Sequence, residues 1–444
     1  MKSLINFSRI LGSYMPSFFY MKLGFPFYDN PETLFRLSNK ELSTFIHEYI
    51  HFLQDISSFS LLNNAYVYSE YIHSVTNYIY KLPHGVFSVP LKMPYNLDNV
   101  DLNKFINSTC MGDFRTRDSI FIKRVEFKRI KVPYKNKIVN ELSIPFLYLT
   151  DGTELKFGTC AIMESMAYLI ERLITKGSVT PPDYPYQTAE YVACWEYEEF
   201  AKDKLCLIAL CDLALQFNNP GEKFVQTLRD MKSEGYIPQT PEDLYKRIYQ
   251  QSCSMLGKIT TLPMCLIDMG NMVQDRLKKY LNDSHFDFFH KTIRSFIGFG
   301  IENRLRHPYF MIDLVRDGYA LYNKTFLMIR ERIDSPLIVD SENNFTCLPS
   351  VGESDGGSFP YFLAVNELYK CFSEGSTVCE MYDFCNSTVE HANEIFGENW
   401  QHMIPIVDDN CWQRPWLKIN DARLCPYAFL WKHWKLQDWI PSDN

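Results

Sequence analysis

Two histidines lie four residues apart in the segment SNKELSTFIHEYIHFLQD (38–55), and a glutamate directly follows the first of them. On a helix, His47 and His51 project from one face about one turn apart, the separation that two imidazoles need to bind one metal ion. Zinc accepts such nitrogens and lowers the pKa of a bound water to about 7. Glu48 lies close enough to take the proton of that water as it attacks a carbonyl carbon. The pattern therefore predicts a zinc site with Glu48 as general base.

Two further signals predict that this segment is a helix over residues 39–57. Ser38 and Glu41 have the spacing of a capping box, in which each side chain binds the other residue's exposed backbone N–H. Apolar residues then recur at helical spacing; they are Leu42, Phe45, Ile46, Tyr49, Phe52, Leu53 and Ile56. An ordinary amphipathic helix that happens to carry histidines is the alternative, but it leaves two polar rings on a mostly apolar face.

In this motif the chain resembles the HExxH zinc metallopeptidases, or zincins, including uncharacterised bacterial proteins. Metzincins continue the motif as HExxHxxGxxH, whereas this chain has Gln54 and Ser57 at the positions of that glycine and histidine. Gluzincins take a third ligand from a glutamate on a separate downstream helix. The resemblance therefore implies that Glu164, in FGTCAIMESMAYLIERL (157–173), is the third zinc ligand.

Three other glutamates are alternatives for that ligand. Glu171 neighbours Arg172 near the predicted helix end, where we expect solvent, and Glu190 and Glu196 lie among further charges that indicate a surface. Only Glu164 has small and apolar neighbours for a full turn on both sides. A carboxylate buried there without a cation costs several kcal/mol, so a metal partner explains it. An exposed glutamate, or a buried ion pair with Arg172, is the alternative for Glu164.

The rest of the gluzincin pattern is less complete. Many gluzincins have an aspartate four residues after the third ligand to orient a histidine, and this chain has Tyr168 there. A residue that stabilises the oxyanion is also expected to face the metal. The candidates are Tyr184, Tyr186, His307 and Tyr309, although each also fits a packing or loop role.

The pattern of elements predicts an α+β fold with more helix than strand. Strands are expected near the N-terminus and over 119–157, and helices dominate from 187 to 300. The resemblance implies a zincin-like catalytic region with a small sheet at 1–235, followed by a mostly helical or mixed region at 236–444. Zincins bind the substrate backbone at an edge strand, and residues 17–23 (SFFYMKL) are the candidate for it.

Composition narrows the class of protein. The chain has 444 residues and a net charge of −8, which speaks against a general nucleic-acid binder. No uninterrupted apolar run approaches the ~20 residues of a membrane span. The thirteen cysteines form no CxxC pair and lie mostly in apolar segments, which predicts buried free thiols and a cytoplasmic location. The oligomeric state is left open.

The function predicted from these features is zinc-dependent hydrolysis of peptide bonds in a protein or peptide substrate. One alternative is a zincin-fold protein whose metal is structural, or which serves only in binding or regulation. The other is a metal-free interaction scaffold that uses the aromatic-rich C-terminal half. The intact Glu48 favours the enzyme, and elemental analysis separates the metal-free scaffold from both other classes.

Overall fold

The computed structural model describes residues 11–28, 30, 32–92, 98–134, 137–176, 180–249, 251–255, 258–350, 359–390 and 404–443. Its α-helices are α1 (Thr33–Arg36), α2 (Asn39–Ser57), α3 (Phe59–Ile79), α4 (Asp98–Met111), α5 (Thr159–Ile174), α6 (Asp183–Tyr186), α7 (Thr188–Ala201), α8 (Lys204–Ala214), α9 (Pro220–Ser233), α10 (Pro241–Ile248), α11 (Leu262–Tyr280), α12 (Asp287–Arg306), α13 (Phe310–Arg316), α14 (Lys324–Arg332), α15 (Phe359–Glu374), α16 (Tyr382–Glu390), α17 (Asp409–Gln413) and α18 (Pro426–His433).

Short strands complete the fold, and three 3-10 helices lie at Ser284–Phe286, Ala320–Tyr322 and Pro415–Asn420. The strands are β1 (Gly12–Met15), β2 (Tyr20–Leu23), β3 (Gly85–Val89), β4 (Ile122–Tyr134), β5 (Lys137–Leu149), β6 (Glu154–Lys156), β7 (Ser252–Met255), β8 (Lys258–Thr261), β9 (Leu337–Val339), β10 (Phe345–Thr346) and β11 (Trp439–Asp443). The prediction of a helix-rich α+β fold with small sheets is confirmed.

The sheet nearest to the predicted site has the strand order β1-β2-β9-β10. β2 pairs antiparallel with β1 on one side and parallel with β9 on the other. The prediction that residues 17–23 form an edge strand is therefore wrong, because β9, from far along the chain, covers the second side of β2. Within the described residues β1 pairs only with β2 and β10 only with β9, so these two are the edge strands, and β1 is the one that packs on α2.

A single hydrophobic core joins elements from both halves of the chain. It includes Phe45 and Phe52 of α2, Phe296 of α12, Leu337 of β9 and Trp431 of α18. The rings of Phe52 and Phe296 pack edge to face with their centroids 4.9 Å apart. The domain boundary predicted after residue 235 therefore falls within a continuous core.

Helix α12 holds the C-terminal end of α2 in place through one close approach and one buried ion pair. At Gly300 the two helices are so close that a Cβ atom would lie 2.0 Å from the carbonyl oxygen of Ile56. One turn further on, the Arg304 guanidinium is fully buried and donates to the Asp212 carboxylate at 2.5 and 2.8 Å. Arg304 also donates to the carbonyl oxygen of Ser57 at 3.3 Å. These contacts fix the end of the helix that carries the histidine pair.

The cysteine prediction is partly correct. Cys206 and Cys211 are buried free thiols, as expected. Cys265 is in a disulfide, so the expectation of free thiols is wrong there. Sequence spacing does not show which sulfurs approach within bonding distance. Within the described ranges, no helix is long and apolar enough to cross a membrane; the cytoplasmic location stays a prediction.

We expect Arg304→Met to lower the free energy of unfolding by about 3–5 kcal/mol, because it leaves the Asp212 carboxylate buried without its cation. Arg306→Met is the matched control on the same helix. Its guanidinium is exposed and pairs with the half-exposed Glu302, so a change of no more than about 1 kcal/mol is expected. Chemical denaturation followed by circular dichroism measures both. Equal effects of the two substitutions would contradict the role given to Arg304.

Candidate metal centre

The helix that carries the histidine pair begins where the sequence predicts. The backbone N–H of Glu41 donates to the Ser38 hydroxyl at 3.3 Å, and the Ser38 N–H donates to the Glu41 carboxylate at 2.8 Å. This capping box satisfies two N–H groups that the first turn leaves without helical partners. From Leu42 onward almost all side chains of α2 are buried. The helix therefore presents His47, Glu48 and His51 inside the protein.

Helix α5 packs against α2 and brings a carboxylate to the two imidazoles. Ala161 and Ala167 on α5 are fully buried, and such small side chains allow helices to pack closely. Glu164 lies between these alanines, and its Oε2 atom is 3.2 Å from Nε2 of His47 and 3.2 Å from Nε2 of His51. The two Nε2 atoms are 3.1 Å apart. The structure thus places the three predicted ligands together as a group that could hold a metal ion.

The hydrogen bonds on the far side of each ring determine which nitrogen carries the proton. Nδ1 of His47 lies 3.0 Å from Oε2 of Glu171, and an ionised carboxylate only accepts hydrogen bonds. Nδ1 of His51 lies 2.8 Å from Oε1 of Gln54, whose amide nitrogen donates to the Met163 carbonyl at 3.1 Å. Both Nδ1 atoms therefore carry hydrogen in the neutral tautomer. The lone pairs of both Nε2 atoms then point into the site.

Three lone-pair atoms therefore converge in a buried place, and only a cation between them makes this arrangement favourable. If one imidazole carries a proton on Nε2, that N–H can donate in only one of the three contacts, and the contact between the other two atoms still joins two acceptors. Protonation of both rings would set two N–H groups against each other at 3.1 Å. Ligand atoms at about 2.0–2.1 Å from a zinc ion in tetrahedral geometry are about 3.3–3.4 Å apart. The observed separations of 3.1–3.2 Å are close to that value, so the residues fit a metal ion.

Glu171, expected near solvent, is instead a buried partner of His47. Its side chain is 9% exposed, and its second oxygen accepts a hydrogen bond from the Ser43 hydroxyl. Glu171 lies two turns after Glu164 on α5 and so shares the face that meets α2. Arg172, the next residue, pairs instead with Glu190, at 3.6 Å. The expectation for Glu171 is therefore wrong, because helix periodicity and not the neighbouring arginine sets its direction.

The remaining alternative ligands are held elsewhere by cations. Glu190 accepts a hydrogen bond from Lys204 at 2.6 Å. Glu196 is 8% exposed and binds Arg229 at 2.7 Å. The expectation that Glu196 lies on the surface is wrong, because the arginine compensates its charge in a buried position.

Glu48 lies beside the three convergent atoms without being one of them. Its side chain is 6% exposed and accepts no hydrogen bond from any residue that the structure describes. Burial raises the pKa of Glu48 to about 7, although the imidazoles of His47 and His51 lower it. Strand β1 passes so close that a Cβ atom at Gly12 would lie 3.0 Å from a carboxylate oxygen of Glu48. The Glu48 carboxyl group is thus held between its own helix, α2, and strand β1.

Charge coupling is strong across the site. Burial alone would raise the pKa of Glu164, but in the metal-free site the positive charge that His51 and His47 carry when protonated holds it well below its usual value. Burial alone would lower the pKa of His47, yet its bonds to Glu164 and Glu171 raise it well above the usual value. Both directions show that the carboxylates favour positive charge at the imidazoles, which is also what attracts a metal cation.

A cleft of about 530 Å³ opens above His47 and Glu48. On one side it is lined by Leu11 and Gly12, at the open edge of β1. The other lining residues come from α2, from α5, from α6 and the segment before it, and from the segment that precedes β4; they are Ser43, Thr44, Asp118, Tyr168, Glu171, Thr180, Pro181, Pro182 and Tyr186. A molecule in this cleft therefore contacts the general-base candidate directly.

Of the four oxyanion candidates, Tyr186 is the one that lines the cleft, with its ring centroid 5.7 Å from that of His47. Tyr184 is fully buried, and its hydroxyl donates to the carbonyl oxygens of Asp113 and Lys156. Its role is therefore structural.

The other two candidates lie outside the cleft lining. The Tyr309 ring packs edge to face on Tyr245 with a centroid distance of 5.7 Å. His307 is exposed where α12 ends. Tyr168 lines the cleft, but the partners of the two imidazoles are Glu171 and Gln54. Sequence reasoning missed both partners, although Gln54 lies at i+3 from His51 and its spacing could have indicated the contact.

Comparison of the chain with protein-family models, curated proteins and solved structures found no match.

We expect the purified protein to bind one metal ion per chain and to lose it when His47 or His51 is replaced by alanine, because two ligand atoms cannot hold the ion as three do. Metal content measured by inductively coupled plasma mass spectrometry tests this. His285→Ala is the control, since that imidazole is 63% exposed and forms its ion pair with Asp283, outside the candidate metal centre. Loss of metal in the control, or full metal content in the His47 variant, would contradict this site.

Glu171→Gln is expected to weaken metal affinity roughly 10–100-fold while leaving the fold intact. The amide keeps the shape of the side chain but removes the charge that makes the His47 imidazole a stronger ligand. Competition with a chromogenic chelator measures the change. Glu190→Gln, a rival ligand candidate held by Lys204, should leave the affinity unchanged. An unchanged affinity in Glu171→Gln would show that this carboxylate only fills space.

Proposed function

We propose that the protein is a zinc-dependent peptidase in which His47, His51 and Glu164 hold the metal and Glu48 is the general base. The observation that carries this proposal is the position of Glu48 at the floor of a cleft, next to three convergent ligand atoms. Two imidazoles and a carboxylate form one of the ligand sets of catalytic zinc sites, where three protein ligands leave a position for water or substrate.

Each proton in the proposed reaction is carried by a residue of this chain. A bound zinc ion supplies Lewis-acid chemistry, making water more acidic and polarising a carbonyl group. Glu48 accepts a proton from water as the oxygen adds to the peptide carbon, and it donates that proton to the leaving nitrogen when the C–N bond breaks. Burial raises the pKa of Glu48, and the charge of a bound zinc ion would lower it, so the carboxylate is ionised and can accept the proton near neutral pH.

Tyr186 is the best candidate to stabilise the oxyanion. Burial raises the pKa of its phenol well above the usual value, so the hydroxyl stays protonated and can donate a hydrogen bond. The open edge of β1 can pair with an extended peptide by strand addition, with Leu11 and Gly12 next to the cleft. The edge-strand role expected for residues 17–23 thus passes to residues 12–15.

Two features favour this proposal over its rivals. A purely structural or binding role for the metal needs no unpaired carboxyl group at the floor of a cleft, and Glu48 is such a group. A metal-free scaffold leaves the convergence of three lone pairs without a cation to stabilise it. The zincin-like fold and the peptide substrate are both parts of the proposal.

Glu48→Gln is expected to lower peptide cleavage by about 10²–10⁴-fold, because the amide preserves the shape but cannot accept the proton. Metal content should stay at the wild-type level, since Glu48 is not a ligand. Substrates are found by mass spectrometry of peptide mixtures incubated with wild type and variant in parallel. Glu199→Gln, whose side chain is 60% exposed, is the control. Cleavage by the Glu48 variant at the wild-type rate would show that this carboxylate does not activate water.

A further inference from the structure

The charged side chains that line the cleft carry mostly negative charge. Three carboxylates, those of Glu48, Asp118 and Glu171, contribute to its walls, and none of the described lining residues is a lysine or an arginine. The cleft belongs to the site already described, so its charge acts on whatever occupies that site.

Asp118 differs in position from Glu48 and Glu171, which are buried beside the imidazoles. It is exposed, and its side chain makes no ion pair or hydrogen bond within the described part of the chain. Its neighbour Arg117 pairs with Asp151 at 3.0 Å, outside the cleft lining. Arg172, whose guanidinium is 5.5 Å from the centre of the Tyr168 ring, is paired with Glu190. The two nearby arginines therefore have other partners.

A bound divalent metal ion does not reverse the excess of negative charge in the cleft. Two positive charges are set against the carboxylates of Glu164, Glu171 and Glu48, so the centre stays negative when all three are ionised. Asp118 adds a further negative charge at the cleft wall. Clefts lined by charge of one sign concentrate ligands of the other sign, so a cationic group is attracted into the cleft.

The walls also suit the long stem of such a group. Leu11, Pro181 and Pro182 are apolar, and Tyr168 and Tyr186 add aromatic rings. Lysine and arginine side chains lay their methylene stems along apolar surface while the charged head binds a carboxylate or stacks on an aromatic ring. An acidic peptide side chain would find no cation among these lining residues.

From these observations we infer that the cleft selects peptides with a lysine or arginine side chain close to the bond that is cut, and that Asp118 is the specificity-determining residue. The position of the cut bond rests on the proposed function, whereas the preference for a cationic side chain concerns binding alone. Two separate measurements therefore distinguish the two claims.

The binding measurement uses the zinc-loaded Glu48→Gln protein, which should hold peptides without hydrolysing them. In this variant the charge of zinc balances those of Glu164 and Glu171, so Asp118 supplies the net negative charge among the described lining residues. Fluorescein-labelled peptides that differ at one position, with lysine, norleucine or glutamate there, are titrated by fluorescence anisotropy. We expect the lysine peptide to bind tightest. Adding Asp118→Asn should reduce the preference for lysine over norleucine by about two- to fivefold, the range for an exposed charge pair. Asp118→Lys should abolish or reverse the preference, and the wild-type preference should weaken with added salt.

Asp268→Asn is the control, because Asp268 is an exposed aspartate of α11 outside the cleft lining. It should leave the preference unchanged. A preference for norleucine or glutamate, or a lysine preference that Asp118→Lys leaves intact, would overturn the inference whether or not the protein cleaves peptides. The cleavage measurement compares the same three peptides with wild-type enzyme. Asp118-dependent binding of the lysine peptide without cleavage would support a cleft that selects cationic side chains and would contradict the peptidase.

Discussion

Three atoms with lone pairs, two imidazole nitrogens and one carboxylate oxygen, lie within 3.2 Å of one another in the interior of this protein. Without a cation among them this is an unfavourable arrangement, because each atom has been removed from water and faces another acceptor. Much of the surrounding structure serves to hold that arrangement. The two rings are turned inward by Glu171 and Gln54, and the carboxylate is brought in by α5.

The helix that carries the rings is fixed along its whole length. Its first turn is closed by the capping box, its middle is buried against α5, and its end meets α12 at Gly300 and Arg304. Strand β1 lies beside Glu48, and among the described strands it pairs along one edge only. The rigidity needed for metal binding and the opening needed for a substrate thus come from different sides of the same helix.

Local signals made part of this predictable. The capping box and the apolar periodicity predicted helix α2, and the i, i+4 spacing predicted that the two imidazoles lie on one face of it. Small and apolar neighbours on both sides separated Glu164 from its rivals. Contacts between distant segments were not predictable in this way. Strand β9 joins β2 from far along the chain, so residues 17–23 looked like an edge although they are covered. Glu171 was predicted to lie near solvent because an arginine follows it, whereas the packing of α5 on α2 buries that glutamate.

The most direct test of the account is anomalous diffraction from crystals of the zinc-loaded protein, with data collected above and below the zinc absorption edge. The account predicts one strong anomalous peak per chain, about 2.0–2.1 Å from Nε2 of His47, Nε2 of His51 and a carboxylate oxygen of Glu164. A protein that takes up no zinc, or a peak bound by cysteine sulfurs or by surface carboxylates with none between the two imidazoles, would contradict it.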